Sequence, residues 1–447
     1  MKKKIAFISE HASPLAILGG VDNGGQNVYV AELSEQLVKK GYEVDIYTRR
    51  DNPNIEETVE WQPFIRVIHI EAGPAKFVAK EKLLGYMDEF TVNMLYYIKM
   101  NGLEYELIHA NFFMSALVAS NLKKYLYIPY VVTFHALGLV RKIHQKEKDA
   151  FPAERINIEK HIVADADQLI AECPQDREDL IVHYGADPSK ITIVPCGFNP
   201  KEFYPMEKAL AREMLNLDAG EKIILQLGRM VPRKGVDNVI HAIGKLKNQA
   251  ELRLVIVGGE ADTPDPVLTP EIKRLQQIAE EEKVADRVIF TGRRGRDVLK
   301  YYYAAADIFV STPWYEPFGI TPLEAMACGT PVIGANVGGI KHSVADGQTG
   351  FLVPPHQPNA LAEKIMHLLS DEKMYRAMQK NAIRRVNRFF TWSKVADGVH
   401  HLYHEVILAN KKAAEQEHVS PLESLSLLHI EKYLLNDSLY NKLKVQQ

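Results

Sequence analysis

The sequence of 447 residues holds only three cysteines, Cys173, Cys196 and Cys328. An odd number, widely spaced and without a C-x-x-C pair, excludes a disulfide framework or a zinc knuckle and suits a reducing cytoplasm. A dominant charge is also missing. Against 57 acidic residues stand 54 basic ones, a formal net charge of −3, so no overall field would draw nucleic acid. No apolar run approaches the ~18 residues of a membrane-spanning helix. The start, MKKKIAFISEH, has a basic flank, but its apolar run IAFI is too short for a signal-peptide core. The expected setting is therefore the cytoplasm, with peripheral membrane contact left open. Short repeats and long low-complexity segments are absent, and no G-x-G-x-x-G follows the first strand.

What is present is alternation. With 46% hydrophobic and 25% charged residues, the chain has ordinary globular composition. Short apolar strands (KIAFIS, EVDIYTR, IRVIHI, LIHAN, YVVTFHA, LIAEC) alternate with amphipathic helices such as QNVYVAELSEQLVKKG. After VPCGFNPKEFYP the pattern restarts with KIILQLGR, RLVIVGG, RVIFTG, DIFVST and TPVIGA. Strand–helix alternation predicts parallel, right-handed βαβ sheets. The expected fold is α/β: two Rossmann-like domains, residues 1–200 and 201–390, whose parallel sheets face across a cleft. A helix over 391–410 would cross between them. Residues 411–447 form a helical tail with an apolar LLHIEKYLL patch and no assigned role.

Three stretches carry chemistry. The first strand runs into GGVDNGGQ, where Gly24 and Gly25 precede a helix beginning near Gln26. Glycines admit close backbone approach and a helix start offers free N–H groups, so the loop is either a tight turn or an anion site. GRMVPRKG, Gly228 to Gly235, places Arg229 and Lys234 around a stiffening proline at a strand end. Such a pair suits a diphosphate, although one basic loop alone can simply be solvated. In EPFGITPLE, the helix should start near Ile320 or Thr321, leaving N–H groups around Phe318, Gly319, Ile320 and Thr321 for an anion. Glu316 and Glu324 can accept from hydroxyl pairs on either side of it. Ribose, diphosphate and sugar have that layout.

Other features are weaker. His135 ends a strand of the first half, where a lone histidine can be structural. The ADAD stretch, with Asp165 and Asp167, reads as a turn rather than a metal–diphosphate motif. No His/Cys/Asp cluster has metal-ligand spacing, so neither metal nor cofactor is expected.

Taken together, G-R-x-x-x-x-K-G, E-P-F-G-x-x-x-x-E and CGTPVIGANVGG, with GGQNVYVAEL and DGQTGFLV, resemble the retaining glycosyltransferases of family 4, which have the GT-B fold. The resemblance runs from Lys3 to about Leu408. It implies that Arg229 and Lys234 bind the donor diphosphate and stabilise the leaving group. Glu324 would take the ribose hydroxyls and Glu316 the donor sugar. The N–H groups of Phe318, Gly319 and Ile320 would support sugar and phosphate, with Gly24 and Gly25 approaching the diphosphate. His135 would reach the sugar's 6-hydroxyl, and backbone groups of Arg293 or Arg294 the base. It implies front-face displacement, with Glu316 as a nucleophile the minority alternative.

The first half most resembles the sucrose-phosphate synthase and mycothiol (inositol-phosphate) branches, whose acceptors are phosphorylated. Lys80 and Arg155 match their phosphate-binding positions. Ala136 and Phe112 replace a threonine and a tyrosine of the mycothiol branch, removing two hydroxyl donors, and Lys341 and His342 replace a common Pro-Glu. The expected partners are thus a nucleotide diphosphate sugar and a small sugar or polyol, phosphorylated or not. Donor base, sugar and self-association stay open. The alternatives are a glycolipid-forming transferase at a membrane, a non-catalytic nucleotide-sugar binder and, least favoured, a nicotinamide or flavin oxidoreductase.

Overall fold

The computed structural model describes residues 2–16 and 24–417. Gly19, Gly20 and the LLHIEKYLL patch lie outside the described residues. Contacts divide the chain into two compact units. The first comprises residues 1–16, 26–194 and those from Ala396 onward; the second comprises 17–25 and 195–395.

The first unit is built on an eight-stranded sheet. Its strands are β1 (Lys3–Ile8), β2 (Tyr42–Arg49), β3 (Thr58–Gln62), β4 (Ile65–Ile70), β5 (Leu107–Asn111), β6 (Tyr130–Thr133), β7 (Gln168–Ala171) and β8 (Ile191–Ile193). They lie in the order β3-β4-β2-β1-β5-β6-β7-β8. Every pairing is parallel except β3 with β4. Strands buried on both faces need unbroken apolar runs; β1 meets this with IAFI, wholly buried. The helices Met87–Met100 and Phe113–Leu126 cover the sheet with Met94, Leu95, Phe113 and Leu117, all in one core with Ile8, Ile108 and Val132. The long helix Trp392–Glu417 adds Tyr403, whose hydroxyl lies 2.6 Å from His109 Nδ1.

The second unit has six strands: β9 (Lys222–Leu227), β10 (Leu252–Val257), β11 (Val288–Gly292), β12 (Ile308–Ser311), β13 (Val332–Ala335) and β14 (Gly350–Val353). All pair in parallel, in the order β11-β10-β9-β12-β13-β14.

Strand reading from the sequence was incomplete at three places. β3 is a partly exposed antiparallel edge whose TVEWQ lacks an apolar run. β8 and β14 are short edge strands that adjoin a single neighbour each. β3 and β8 bury little side chain, and β14 is only four residues long. Asp165 closes the helix Glu154–Asp165 and Asp167 lies in the bend before β7; they accept from Tyr130 Oη and from the Tyr130 backbone N–H respectively.

In both sheets the chain order reverses once beside the first strand, between β1 and β5 and between β9 and β12. Ligands of open α/β sheets bind beyond the carboxyl ends of the strands at such a switch point.

Candidate active site

In the second unit the loops after β9 and β12 are locked together. Gly235 adopts φ +65°, and a Cβ there would lie 2.1 Å from the Thr312 carbonyl oxygen; Thr312 Oγ1 in turn donates to the Gly235 carbonyl at 3.1 Å. Only glycine fits this position. The VGG stretch packs as closely on the other side. A Cβ on Gly338 would come within 1.7 Å of the Glu316 carbonyl oxygen, and one on Gly339 within 2.4 Å of Phe318. The Gly339 N–H donates to the carbonyls of Glu316 and Pro317 at 3.2 and 3.1 Å. These glycines therefore position Glu316 between two backbone segments.

Glu316 is surrounded by cations. Lys234 Nζ donates to its Oε2, and Arg233 Nη1 stands 3.7 Å from the same oxygen. Arg229 acts on both Glu316 and Lys234 through space. Burial lowers the Lys234 ammonium to about 8, against the pull of Glu316 and with the push of Arg233 and Arg229. Burial alone would raise Glu316, but Lys234, Arg233 and Arg229 outweigh it and hold the carboxyl below its usual range. Three cations thus share one carboxylate, a net positive cluster in a poorly solvated place. An anion with several negative charges would relieve it.

Gly319, at φ +92°, precedes the helix Ile320–Ala327, which has no side-chain cap and no acidic residue in its first turn. The sequence placed this start at Ile320 or Thr321. First-turn N–H groups require partners from outside the helix, and its dipole favours an anion there. Gly24 and Gly25 group with this unit. A Cβ on Gly24 would lie 3.7 Å from Arg229 Nε, and one on Gly25 3.7 Å from Ile320 Cδ1.

Glu324 is buried and tied on both oxygens, by Arg296 Nη1 at 2.8 Å and by Tyr303 Oη at 2.8 Å. Arg296 Nε also donates to Glu202 at 2.5 Å. A carboxylate oxygen accepts more than one hydrogen bond, so the ties orient Glu324 without exhausting it. After β11, the Arg293 N–H donates to the Ala261 carbonyl at 2.7 Å, and Arg294 Nη1 donates to the Asp262 and Arg293 carbonyls at 2.6 and 2.8 Å. The two arginines thus stitch their loop to residues 261–262. Lys341 and His342 sit in the short helix that begins at Ile340, just after Gly338 and Gly339.

The first unit gathers a different set of groups at its strand ends. His135, at φ +58°, has its ring nitrogens 3.2 Å from Glu172 Oε1 and 3.0 Å from Asn111 Oδ1. Burial, and then Glu172, raises the neighbouring Asp176 carboxyl to about 8. Phe112 turns the chain at φ 86°, ψ 160°, a region almost reserved for glycine and a mark of strain at functional sites. Beside it, Glu10 is buried, bonded by Ser115 Oγ and 2.7 Å from His11 Nδ1. Arg155 is buried against the rings of Phe112, Phe113 and Phe151. Its Nε donates to Glu159 at 2.7 Å and its Nη2 to the Ala136 carbonyl, while the buried Nη1 makes no hydrogen bond. Glu159 also accepts from the Gly138 N–H at 3.0 Å and from Tyr184 Oη at 2.5 Å. Lys80 stands in the turn Lys80–Lys82, 3.9 Å from Glu81.

The structure therefore brings Arg229, Lys234, Glu316, Gly319 and Gly24 into one cluster and places Glu324 and Arg294 on neighbouring elements of the same unit. Sequence reasoning missed Arg233, Arg296, Glu10, His11, Asn111, Glu159 and Glu172. A usable signal existed for several of them. ISEH, LIHANF and LIAEC each end an apolar strand in polar residues, where a strand end at a switch point puts its ligand-facing groups. Among the described residues no group of three or more His, Cys, Asp or Glu could hold a metal, and no helix is long and apolar enough to cross a membrane.

Sequence comparison gives the family. The profile described as Glycosyltransferase Family 4 matches residues 23–202, and that described as Glycosyl transferases group 1 matches residues 207–385. A D-inositol 3-phosphate glycosyltransferase from Corynebacterium efficiens is 35% identical over 413 residues, 91% of this chain and 96% of that protein. Sucrose-phosphate synthase from Thermosynechococcus elongatus superposes with a TM-score of 0.84 at 36% identity, over 91% of this chain and 100% of that one. The catalytic domain of starch synthase IV from Arabidopsis thaliana shares the fold alone, at TM-score 0.68 and 17% identity over 91% of this chain and 99% of that one. The chain belongs to the group 1, family 4 glycosyltransferases of GT-B fold.

Proposed function

We propose that the chain is a retaining hexosyltransferase that moves a sugar from a nucleoside diphosphate to a hydroxyl of a small phosphorylated sugar or polyol. One observation carries this reading: the half-buried, net positive cluster of Arg229, Arg233 and Lys234 around Glu316, beside the start of the helix Ile320–Ala327. As the bond from the sugar's C1 to the diphosphate breaks, negative charge grows on the leaving oxygen. Fixed cations and N–H groups stabilise that charge, each such donor contributing ~3–4 kcal/mol. Glu316 holds the donor sugar and Glu324 the ribose, His135 takes the sugar's 6-hydroxyl, and backbone groups of Arg293 or Arg294 meet the base.

Retention is assigned to front-face displacement, in which Glu316 holds the donor sugar and no covalent intermediate forms on it. In the front-face route the acceptor oxygen bonds C1 on the face the diphosphate leaves. Its proton passes to a phosphate oxygen, and the nucleoside diphosphate departs with it. Charge neutralisation by arginine and lysine makes no demand for a metal.

The first unit and the relatives support the acceptor class. The Corynebacterium protein is named for inositol 3-phosphate and the Thermosynechococcus protein for sucrose phosphate. In this reading Lys80 and Arg155 meet the acceptor phosphate; Arg155 Nη1 has no hydrogen bond among the described residues, and a guanidinium suits a phosphate. Purified protein incubated with uridine, adenosine and guanosine diphosphate sugars and with fructose or inositol phosphates should yield a new glycoside whose anomeric configuration, read by NMR, equals the donor's. An inverted product would overturn the mechanism, and no product with any pair would overturn the reading.

A further inference from the structure

We propose that Arg233 is a positioning residue that takes over Glu316 when Lys234 turns to the donor diphosphate. The inference rests on the proposed transferase reading and deepens it. Arg233 Nη1 is buried and makes no hydrogen bond, although it stands only 3.7 Å from Glu316 Oε2. The guanidinium lies over the ring of Tyr315, its Cζ 5.2 Å from the centroid. The Arg233 carbonyl accepts from the Trp314 N–H at 2.9 Å. Arg233 is thus fastened twice to the segment that carries Glu316, and a small rotation would close the remaining gap.

Lys234 differs. Its ammonium is a compact charge on a long stem, and it already bonds Glu316. The same ammonium is needed by the diphosphate. Once it leaves, Glu316 is a poorly solvated carboxylate without a hydrogen-bonded cation, and poor solvation favours its protonated form. A protonated Glu316 loses acceptor capacity toward the donor sugar's hydroxyls. The charged groups that face Glu316 are Lys234 and Arg233 from the turn Pro232–Lys234 and Arg229 from the loop after β9; the VGG loop contributes backbone at Gly338 and Gly339. With Lys234 and Arg229 on the diphosphate, Arg233 is the cation left for the carboxylate. A planar fork meets a carboxylate in fixed geometry, which a hydrated ammonium does not.

The test compares wild type, Arg233→Gln and Arg233→Lys in the full chain. Binding of free nucleoside diphosphate is followed by thermal stabilisation, and kcat with the best donor–acceptor pair is measured from pH 5 to 9. The glutamine variant should bind nucleoside diphosphate within about threefold of wild type, because Arg229 and Lys234 remain. Its kcat should fall about tenfold or more at pH 6, and the acid limb of its kcat profile should move up by about one pH unit, as expected when a poorly solvated carboxylate loses a cation. The lysine variant should regain part of both. A glutamine variant whose pH profile overlays wild type would overturn the proposal. So would one that weakens nucleoside diphosphate binding as much as Lys234→Ala, since Arg233 would then be a phosphate ligand. Wild type that neither binds a nucleoside diphosphate nor transfers sugar would instead remove the transferase reading, and this inference with it.

Discussion

The two units solve one topological problem with opposite electrostatics. Each places its polar groups beyond the strand ends where the sheet order reverses, β1 with β5 in one and β9 with β12 in the other. The second unit concentrates Arg229, Arg233 and Lys234 around a single carboxylate and stays net positive. The first pairs its carboxylates instead: Arg155 with Glu159, and the rings of His11 and His135 beside Glu10 and Glu172. A net positive cluster attracts an anion strongly and gains from a transition state that builds negative charge. A matched pair such as Arg155–Glu159 has little net charge to offer and acts chiefly by holding loops in shape. Disruption of that pair should therefore cost mainly stability, and disruption of the second unit's cluster mainly turnover.

The largest effect should come from Glu159→Ala. It leaves Arg155 buried without its carboxylate and frees the Gly138 N–H and Tyr184 hydroxyl that Glu159 ties down. Breaking a buried pair from one side costs ~3–5 kcal/mol, so Tm should drop by roughly 6–20 °C for a unit of this size. A Tm within a degree of wild type would mean that the matched network is not holding the loop after β6. Next comes Lys234→Ala, which should lower kcat by about 10²–10³ with a much smaller change in Tm, because Arg233 and Arg229 still face Glu316. Unchanged turnover would erase the contrast from the other side.

How far the sequence shows these arrangements depends on the kind of signal. Parallel strands buried on both faces, such as IAFI in β1 and LVIV in β10, announce themselves as apolar runs. The helix start at Ile320 is legible because Gly319 and Pro322 bracket it. Arg229, Lys234 and Glu316 are legible because each lies in a short glycine- and proline-marked stretch. Arg233 sits in the same stretch yet cannot be singled out, since its role depends on a 3.7 Å separation from a residue in another loop. Arg155 is visible as a cation. That it is buried among Phe112, Phe113 and Phe151 and committed to Glu159 is a matter of three-dimensional packing. Glu10 and His11 look like the ordinary polar end of a strand, and only Ser115, far along the chain, marks the pair as a built network.

Lys80 sharpens the comparison most finely, because it is a cation of the first unit outside the matched networks just named. The segment leading to it is clamped by Arg49, which is buried at the end of β2 and donates to the carbonyls of Pro74 and Lys76 at 2.8 and 2.6 Å. Burial lowers the Arg49 guanidinium from its ordinary value, yet carbonyls rather than carboxylates hold it. Its partners are thus chosen for geometry, and their effect is to fix the backbone from which Lys80 projects. If Lys80 meets the acceptor phosphate, Lys80→Ala should raise KM for a phosphorylated acceptor about tenfold, ~1.4 kcal/mol, close to the lower end for one charge-assisted contact. It should leave kcat, Tm and donor KM close to wild type. An unphosphorylated analogue should be used equally well by both proteins. Equal losses with both acceptors would show that Lys80 shapes the loop as Arg49 does, and the first unit would then contain no charge spent on the substrate at that position.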